Sequence, residues 1–124
     1  MPNWTQNTLE VEGTKEDCKK FLAHMGEEMD FNKVIPMPEE VDTREWSIEN
    51  WGTKWNACDS EPVETHIYAN GKSVTLTYKF NTAWDTPREV ITALWEKWPD
   101  LEFFGGYVHE CYEGCGSFQE FSNR

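Results

Sequence analysis

The sequence VETHIYANGKSVTLTYKF, residues 63–80, predicts a β-hairpin around which the rest of the chain can be arranged. Polar and apolar residues alternate on both sides of Asn70-Gly71, a dipeptide typical of two-residue hairpin turns. Counting outward from this turn pairs Ile67 with Val74 across the two strands. One face of each strand is then apolar and should pack against a core.

One strand and one helix are predicted before the hairpin, and one helix and one strand after it. Residues 8–12 alternate as a strand with one buried face, and Thr14 then caps a helix that ends at Gly26. After the hairpin, Thr86 is expected to cap a second helix, and residues 101–108 are typical of a further strand. This order predicts an α+β, ferredoxin-like βαββαβ fold, an antiparallel sheet with two helices on one face.

The chain length bounds how these elements are organised. Because 124 residues fit one domain, we expect residues 1–124 to form a single ferredoxin-like domain. Two segments depart from the plain fold: an insertion at about residues 26–50, after the first helix, and an extra strand or tail at residues 109–124. Within the insertion, a short helix is predicted at about residues 39–50, with Val41, Trp46 and Ile48 turned inward.

Targeting signals are not evident in the sequence. No apolar run is long enough to cross a membrane, and the first residues lack the basic and apolar regions of a secretion signal. The protein is therefore expected to be cytoplasmic, and its four cysteines to be thiols or metal ligands rather than disulfides.

Negative charge is concentrated in one part of the sequence. The formal net charge is −12, and residues 27–49 hold eight acidic residues against two basic ones. Such a local field attracts a basic protein surface, and it opposes binding to nucleic acid, whose phosphates need lysine and arginine. The open face of the predicted sheet also offers only Tyr68 for stacking on a base, so direct nucleic-acid binding is not expected. The alternative interpretation is a solvated face that only keeps the protein soluble.

Four ordered motifs are more specific than the element pattern. They are Asn3-Trp4 followed by Asn7, Leu9, Val11 and Gly13; FNKVIPMP at residues 31–38; ENWGTKWN at residues 49–56; and FNTAW at residues 80–84 followed by Pro87. Together they resemble the YubB ferredoxin-like domain family, which occurs mainly in phages, prophages and plasmids. The resemblance covers about residues 2–105 and implies a ferredoxin-like fold and a mobile-element origin. It implies no activity, because none is established for the family, and the tail from His109 onward departs from it.

The last two motifs and the acidic segment carry the candidate partner-binding residues. Extending the hairpin register places Trp55 near Trp84, and Trp51 and Lys54 lie close by in sequence. These indoles could form a partly exposed surface, since tryptophan combines a large contact area with a polar N–H group. The alternative is that they are buried and hold the insertion on the sheet. The candidate surface also includes five carboxylates: Glu39, Glu40, Asp42, Glu45 and Glu49.

A zinc site is a further possibility near the C-terminal end. His109, Cys111 and Cys115 carry imidazole and thiolate donors that suit zinc, and a tetrahedral site needs a fourth ligand. Cys58, or else His66, could supply it if the tail folds beside the hairpin. The spacing differs from a standard zinc knuckle, so unligated thiols are the alternative.

No recognised catalytic motif is present, and an enzyme is not expected. We expect a non-enzymatic, acidic protein-binding module of phage or mobile-element type, with a basic host protein as its partner in the host cytoplasm. The expected target is a host defence nuclease complex, which the module would inhibit as an anti-CRISPR or anti-restriction protein by charge mimicry or steric blocking. Two alternatives stay open: a zinc-binding domain or small enzyme of unknown reaction, and a structural phage component.

Overall fold

The computed structural model describes residues 4–110 and 114–122. These residues form a five-stranded antiparallel sheet and three α-helices. The strands are β1 (Trp4–Thr14), β2 (Glu64–Ile67), β3 (Ser73–Ala83), β4 (Glu102–His109) and β5 (Cys115–Ser117). The helices are α1 (Lys15–Met25), α2 (Thr43–Asn50) and α3 (Arg88–Lys97), and 3-10 helices lie at Phe31–Lys33 and Phe118–Phe121. Across the sheet the strand order is β2-β3-β1-β4-β5.

The two long strands β1 and β3 lie at the centre of the sheet, and each has one buried face. Leu9 and Val11 of β1 are buried, whereas Glu10 between them is exposed. Leu76 and Tyr78 of β3 are buried in the same alternating way. The alternation predicted for β1 and β3 is therefore confirmed, because successive side chains of a strand point to opposite faces of a sheet. The prediction that the apolar face of β2 packs against the core is wrong: all four of its residues are exposed, because β2 lies at the edge of the sheet.

Aromatic rings join the helices to the buried face. Phe21 of α1 lies 5.9 Å, and Trp95 of α3 lies 5.4 Å, from the ring of Phe103 in β4, centroid to centroid. Edge-to-face pairs at such separations stabilise a core beyond the area that they bury. Helices α1 and α3 thus contact one face of the sheet, as predicted.

Local signals at the ends of α1 and at the hairpin act as predicted. The Thr14 hydroxyl accepts a hydrogen bond from the backbone N–H of Asp17 at 3.2 Å. Gly26, which ends the helix, has φ of 80°, a region that favours glycine. In the hairpin, Ile67 pairs with Val74. No helix of the described part of the chain is both long and apolar enough to span a membrane.

Two elements depart from the plain βαββαβ order. Helix α2 lies within the insertion, where Asp42 Oδ1 caps it by accepting a hydrogen bond from the N–H of Glu45 at 3.1 Å. Strand β5 follows β4 and adds a fifth strand to the sheet. Val41 and Trp46 are partly buried, and the ring of Trp46 lies 5.2 Å from that of Trp51. The prediction that Ile48 faces inward is wrong: it is 40% exposed, because α2 turns the face that carries Ser47 toward the protein.

Thr86 has a different role from the predicted helix cap. Helix α3 begins at Arg88, after Pro87, and no side chain caps its first turn. Thr86 is fully buried, and its hydroxyl donates a hydrogen bond to Asn7 Oδ1 at 2.8 Å. The amide of Asn7 is satisfied on its other side by Thr82 Oγ1 at 3.0 Å. A buried amide needs such partners, so tertiary structure takes Thr86 away from the helix end.

Candidate functional site

In the structure the insertion comprises all residues between α1 and β2, 26–63, and specific contacts hold it against the sheet. Tyr78 of β3 donates its hydroxyl hydrogen to Gly26 O at 2.9 Å, where the insertion begins. Further along, Phe31 is fully buried, and its ring lies 5.8 Å from that of Phe80 in β3. The insertion is therefore attached to the same strand at two points.

Asn56 connects the two halves of the insertion. Its Oδ1 accepts hydrogen bonds from the backbone N–H groups of Phe31 at 2.9 Å and Ala57 at 2.8 Å. Its Nδ2 donates to Asp30 Oδ1 at 2.9 Å. One amide side chain thus fixes segments that lie 25 residues apart, which explains why an asparagine ends the ENWGTKWN motif.

The three tryptophans of the candidate surface occupy different environments. Trp51 is 2% exposed and donates its indole N–H to Ile35 O at 2.9 Å, so it holds the insertion together from within. Trp55 and Trp84 are 36% and 43% exposed. The two alternatives for this cluster therefore apply to different members: Trp51 is buried within the insertion, whereas Trp55 and Trp84 are exposed.

Cationic side chains cover the two exposed indoles. The Lys54 ammonium lies 5.1 Å from the ring centroid of Trp55 and 4.8 Å from that of Trp84. The Arg44 guanidinium, from α2, lies 5.3 Å from the centroid of Trp84. Cation–π attraction at these distances links α2, the segment after it and the end of β3 into one surface.

The tryptophan-containing segments meet at the far end of the hairpin, but in a different register from the predicted one. Cys58 pairs with Asn81, whereas the hairpin register would have paired it with Ala83. Between Cys58 and β2, the N–H of Glu61 bonds to Lys79 O of β3 at 2.9 Å, whereas the N–H of Val63 bonds to Glu27 O at 2.7 Å. The insertion thus changes the register that the turn alone would set.

A pocket of about 360 Å³ opens beside Trp55. Its lining contains two cationic side chains, Arg44 and Lys54, and no carboxylate. The other lining residues are apolar or neutral: Asn32, Met37, Thr43, Ser47, Trp51, Trp55 and Asn56. A pocket of this size and mixture could hold one large side chain of a partner.

Five exposed carboxylates flank this pocket in sequence, and we call them the acidic ridge: Glu39, Glu40, Asp42, Glu45 and Glu49. Among residues 4–110 and 114–122, none of them forms an ion pair. Arg44, the nearest cation in sequence, is stacked on Trp84 instead. The negative charge of the ridge is therefore uncompensated by neighbouring side chains and is available to a partner.

The helical part of the ridge faces away from the protein. At about 100° per residue, Asp42, Glu45 and Glu49 lie within about 60° of one another around the axis of α2. The buried Ser47 lies on the opposite side and donates its hydroxyl hydrogen to Lys54 O at 2.6 Å. One side of α2 thus anchors the helix, and the other presents three carboxylates.

Of the predicted zinc ligands within the described residues, His109 and Cys115 lie on the paired strands β4 and β5, whereas Cys58 lies far from both. The cross-strand row on the open face of the sheet runs through Cys58, Asn81, Gln6, Val108 and Cys115. Four interstrand steps of about 4.8 Å separate Cys58 from Cys115 by about 19 Å. Two thiolates on one zinc ion, each about 2.3 Å from it, must lie within about 5 Å of each other. Cys58 is therefore wrong as a ligand partner of Cys115.

The remaining members of the zinc prediction are only partly within the described chain. Cys111 lies outside the described residues. His109 has both ring nitrogens near polar atoms, with Nδ1 2.8 Å from Thr5 Oγ1 and Nε2 3.7 Å from Asp85 Oδ1. The part of the chain that the structure describes contains no group of three or more His, Cys, Asp or Glu side chains arranged to hold a metal ion.

Two residues of this surface, Arg44 and Met37, were not predicted from the sequence. Arg44 and Met37 line the pocket, and Arg44 also covers Trp84. A signal for Met37 existed, since it lies within the FNKVIPMP motif. Arg44 had only a weak signal, as one of two cations in an acidic segment.

Comparison with known proteins identifies the fold family but no individual relative. No curated protein and no solved structure matches the chain. The model of a family described as the ferredoxin-like domain in Api92-like protein matches residues 50–123, more than half of the chain. The match starts at the end of α2, so it includes Trp51, Trp55 and Trp84 and leaves the acidic ridge outside. On this match, the chain belongs to the family of ferredoxin-like domains found in Api92-like proteins.

Proposed function

We propose that this chain is a non-enzymatic protein-binding module that engages a basic partner through the acidic ridge and the adjacent Trp55 and Trp84. The single observation that carries the proposal is that five exposed carboxylates lie within residues 39–49, where the one cation, Arg44, is stacked on Trp84. Negative charge concentrated in one segment raises the rate at which an oppositely charged surface docks and orients it during the encounter.

The exposed indoles supply binding energy that charge alone does not. Exposed carboxylates mainly steer association, whereas large aromatic and arginine side chains at the centre of an interface supply most of the binding energy. Trp55, Trp84 and Arg44 form such a group beside the 360 Å³ pocket. A partner side chain that fills this pocket would bury Trp55 and Arg44, which line it, and exclude water from the contact.

The partner class that suits the ridge is a protein with a basic channel for nucleic acid. Asp42, Glu45 and Glu49 span about 10 Å of helix, which is one charge per about 5 Å. One DNA strand carries one charge per about 3.4 Å of its axis. The ridge therefore presents negative charge at a density of the same order as a phosphate backbone, which supports charge mimicry, with steric blocking by the rest of the domain.

The resemblance to the YubB ferredoxin-like domain family adds a biological setting to this chemistry. A mobile-element protein acts in the cytoplasm of its host, where CRISPR and restriction complexes hold nucleic acid in basic channels. We place the module, as a proposal, among inhibitors of such a host nuclease complex.

The test removes the charge of the ridge without disturbing α2. Glu39, Glu40, Glu45 and Glu49 are changed to Gln, and Asp42 to Asn, which keeps the helix cap. The tagged protein captures partners from bacterial host lysate, the captured protein is identified and purified, and its affinity is measured at low and high salt and in competition with duplex DNA. We expect the ridge variant to bind at least about tenfold more weakly and to lose most of the salt dependence.

A charge-matched control neutralises five exposed carboxylates outside the ridge: Glu16, Glu28, Glu61, Glu64 and Glu120. It should bind as the original protein does, and duplex DNA should displace the partner from both. Equal loss in the control would show that only net charge matters. Equal affinity of the ridge variant, or a partner indifferent to DNA, would refute the proposed function.

A further inference from the structure

Strand β2 leaves one edge of the sheet open. It is the last strand in the order β2-β3-β1-β4-β5, and within the described residues no strand pairs with its outer side. Tyr68, which follows β2, donates its N–H to Ser73 O at 3.0 Å, so the backbone N–H of Tyr68 points toward β3. Because inward and outward groups alternate along an antiparallel strand, the N–H and C=O groups of Thr65 and Ile67 point outward.

A groove runs beside this edge, between β2 and α1. It measures about 170 Å³, and its floor is formed by Val74 and Leu76 of β3. Ile67, which forms its outer lip, is 53% exposed. An apolar groove next to unpaired backbone groups is the arrangement that strand addition uses, since the edge binds the main chain and the groove takes alternate side chains.

The helix side of the groove carries positive charge. Lys15, Cys18, Lys19 and Leu22 line it, a spacing that places them on one side of α1. Cys18 and Leu22 continue the apolar floor, and the two lysines stand at its rim. No carboxylate lines the groove, although the whole chain has a net charge of −12.

We propose that the free edge of β2 and this groove bind an extended acidic segment of a partner protein by adding it to the sheet as a sixth strand. Alternate side chains of the added strand would point into the groove, about 6.8 Å apart. Lys15 and Lys19 are separated by about 6 Å along α1. Two carboxylates at alternate positions therefore match the two lysines, and an apolar residue two positions away fits against Ile67.

A second copy of this chain suits the edge less well than an acidic partner. The residues that β2 would place in a neighbour's groove are Thr65 and Ile67, and neither carries a charge that could pair with Lys15 or Lys19. The groove shares no residue with the acidic ridge, so failure of the proposed function would leave this proposal untouched, and the reverse also holds.

The test uses the blocked peptide Thr-Leu-Thr-Glu-Thr-Glu-Thr as the probe, with alternate positions occupied by leucine and two glutamates. Its binding to the full chain is followed by titration of backbone amide NMR signals. We expect shift changes concentrated in β2 and α1, and affinity that falls as salt is added. A peptide with both glutamates replaced by lysine should not bind.

Variants of the protein separate the two parts of the site. Thr65→Pro removes an outward N–H without removing a hydrogen bond to β3, and should weaken binding about tenfold. Thr65→Val keeps that N–H and should bind as the original chain does. Lys15→Gln with Lys19→Gln should also weaken binding about tenfold, whereas Lys20→Gln with Lys79→Gln, two exposed lysines outside the groove, should not.

Three outcomes would overturn the proposal. The first is peptide binding that maps elsewhere or does not occur. The second is equal affinity for the glutamate and lysine peptides. The third is self-association of the chain through β2, detected by sedimentation and abolished by Thr65→Pro, which would assign the edge to a second copy.

Discussion

The central sheet with α1 and α3 and the insertion at residues 26–63 are stabilised in different ways. In the sheet, apolar side chains recur on one face of each element and bury one another over many contacts, as at Phe21 and Phe103. In the insertion, Met29, Phe31, Val34 and Trp51 join the same core, and the loops between them are fixed by hydrogen bonds, above all those of Asn56. The comparison indicates that both regions bury apolar side chains in one core, and that the insertion, which has little regular secondary structure, also depends on single polar contacts to fix its loops.

The two regions should respond differently to the loss of one side chain. Loss of one side chain in the sheet disturbs a shared core and should lower the stability of the whole unit. Loss of one polar contact in the insertion should free the loop that it fixes, because loops open at lower free energy than core strands and helices. The candidate partner-binding surface is built on the second kind of region.

The largest expected effect is at the centre of the sheet core. Phe21 is fully buried, with its ring centroid 5.1 Å from that of Trp98, and Phe21→Ala should lower the free energy of unfolding by about 3–5 kcal/mol. Urea denaturation measures this change. Phe104→Ala is the matched control, since Phe104 is half-buried on the opposite face of β4 and should cost about 1 kcal/mol. Equal losses would contradict a core confined to one face.

A smaller and local effect is expected in the insertion. Asn56→Ala removes the acceptor of the Phe31 N–H and the donor to Asp30, at a cost of about 1–3 kcal/mol. Amide hydrogen exchange should accelerate across residues 30–57 and stay unchanged in β1 and β3. Asn50→Ala is the control, because Asn50 Nδ2 bonds only within α2, to Trp46 O at 3.0 Å. Uniform loss of protection over the whole chain would remove the distinction between the two regions.

The smallest expected change in stability is at Tyr78, whose hydroxyl connects β3 to the start of the insertion, and this change depends on pH. Burial, with a smaller contribution from the charge of Cys18, raises the pKa of Tyr78 above its ordinary value, so the native state keeps its hydroxyl protonated. At pH 7, Tyr78→Phe should cost about 1 kcal/mol through the lost bond to Gly26 O.

The sign of the pH dependence follows from the raised pKa. The contribution of Tyr78 is fully present below the tyrosine pKa of the unfolded chain, near 10, and is lost as pH rises toward the higher pKa of the folded protein. The stability difference between the original chain and the variant should therefore shrink above about pH 10. Denaturation curves from pH 7 to 11 measure it, with Tyr68→Phe, an exposed tyrosine, as the control. A difference that is constant with pH would show that Tyr78 titrates normally.

Periodicity and local signals predicted the regular part of the fold because they act over a few residues. The Asn70-Gly71 turn sets the pairing of Ile67 with Val74, and Thr14 caps α1 through its own neighbour three residues on. The same logic failed at Thr86, where a buried amide on a distant strand competes for the hydroxyl. It also failed at Ile48, where the packing of α2 and not its composition decides which face is buried.

The candidate site was only partly predictable for the same reason. Lys54, Trp55 and Trp84 could be placed near one another from the hairpin register, and they do meet. The burial of Trp51 depends on a carbonyl sixteen residues away, at Ile35, which no spacing rule reveals. Cys58 could be offered as a zinc ligand because linear distance does not show that it lies at the opposite edge of the sheet from Cys115.

By itself, the sequence determined which residues alternate, where the turn and the first helix begin and end, and that negative charge collects in one segment. Those properties depend on backbone geometry and side-chain type within a few positions. Only the tertiary structure decided which tryptophans are buried, which strand is left at the edge beside Lys15 and Lys19, and which carboxylates lack partners. These are relations between segments that lie far apart in the chain. They depend on which distant group each side chain contacts, as Trp51 contacts Ile35 O and Thr86 contacts Asn7.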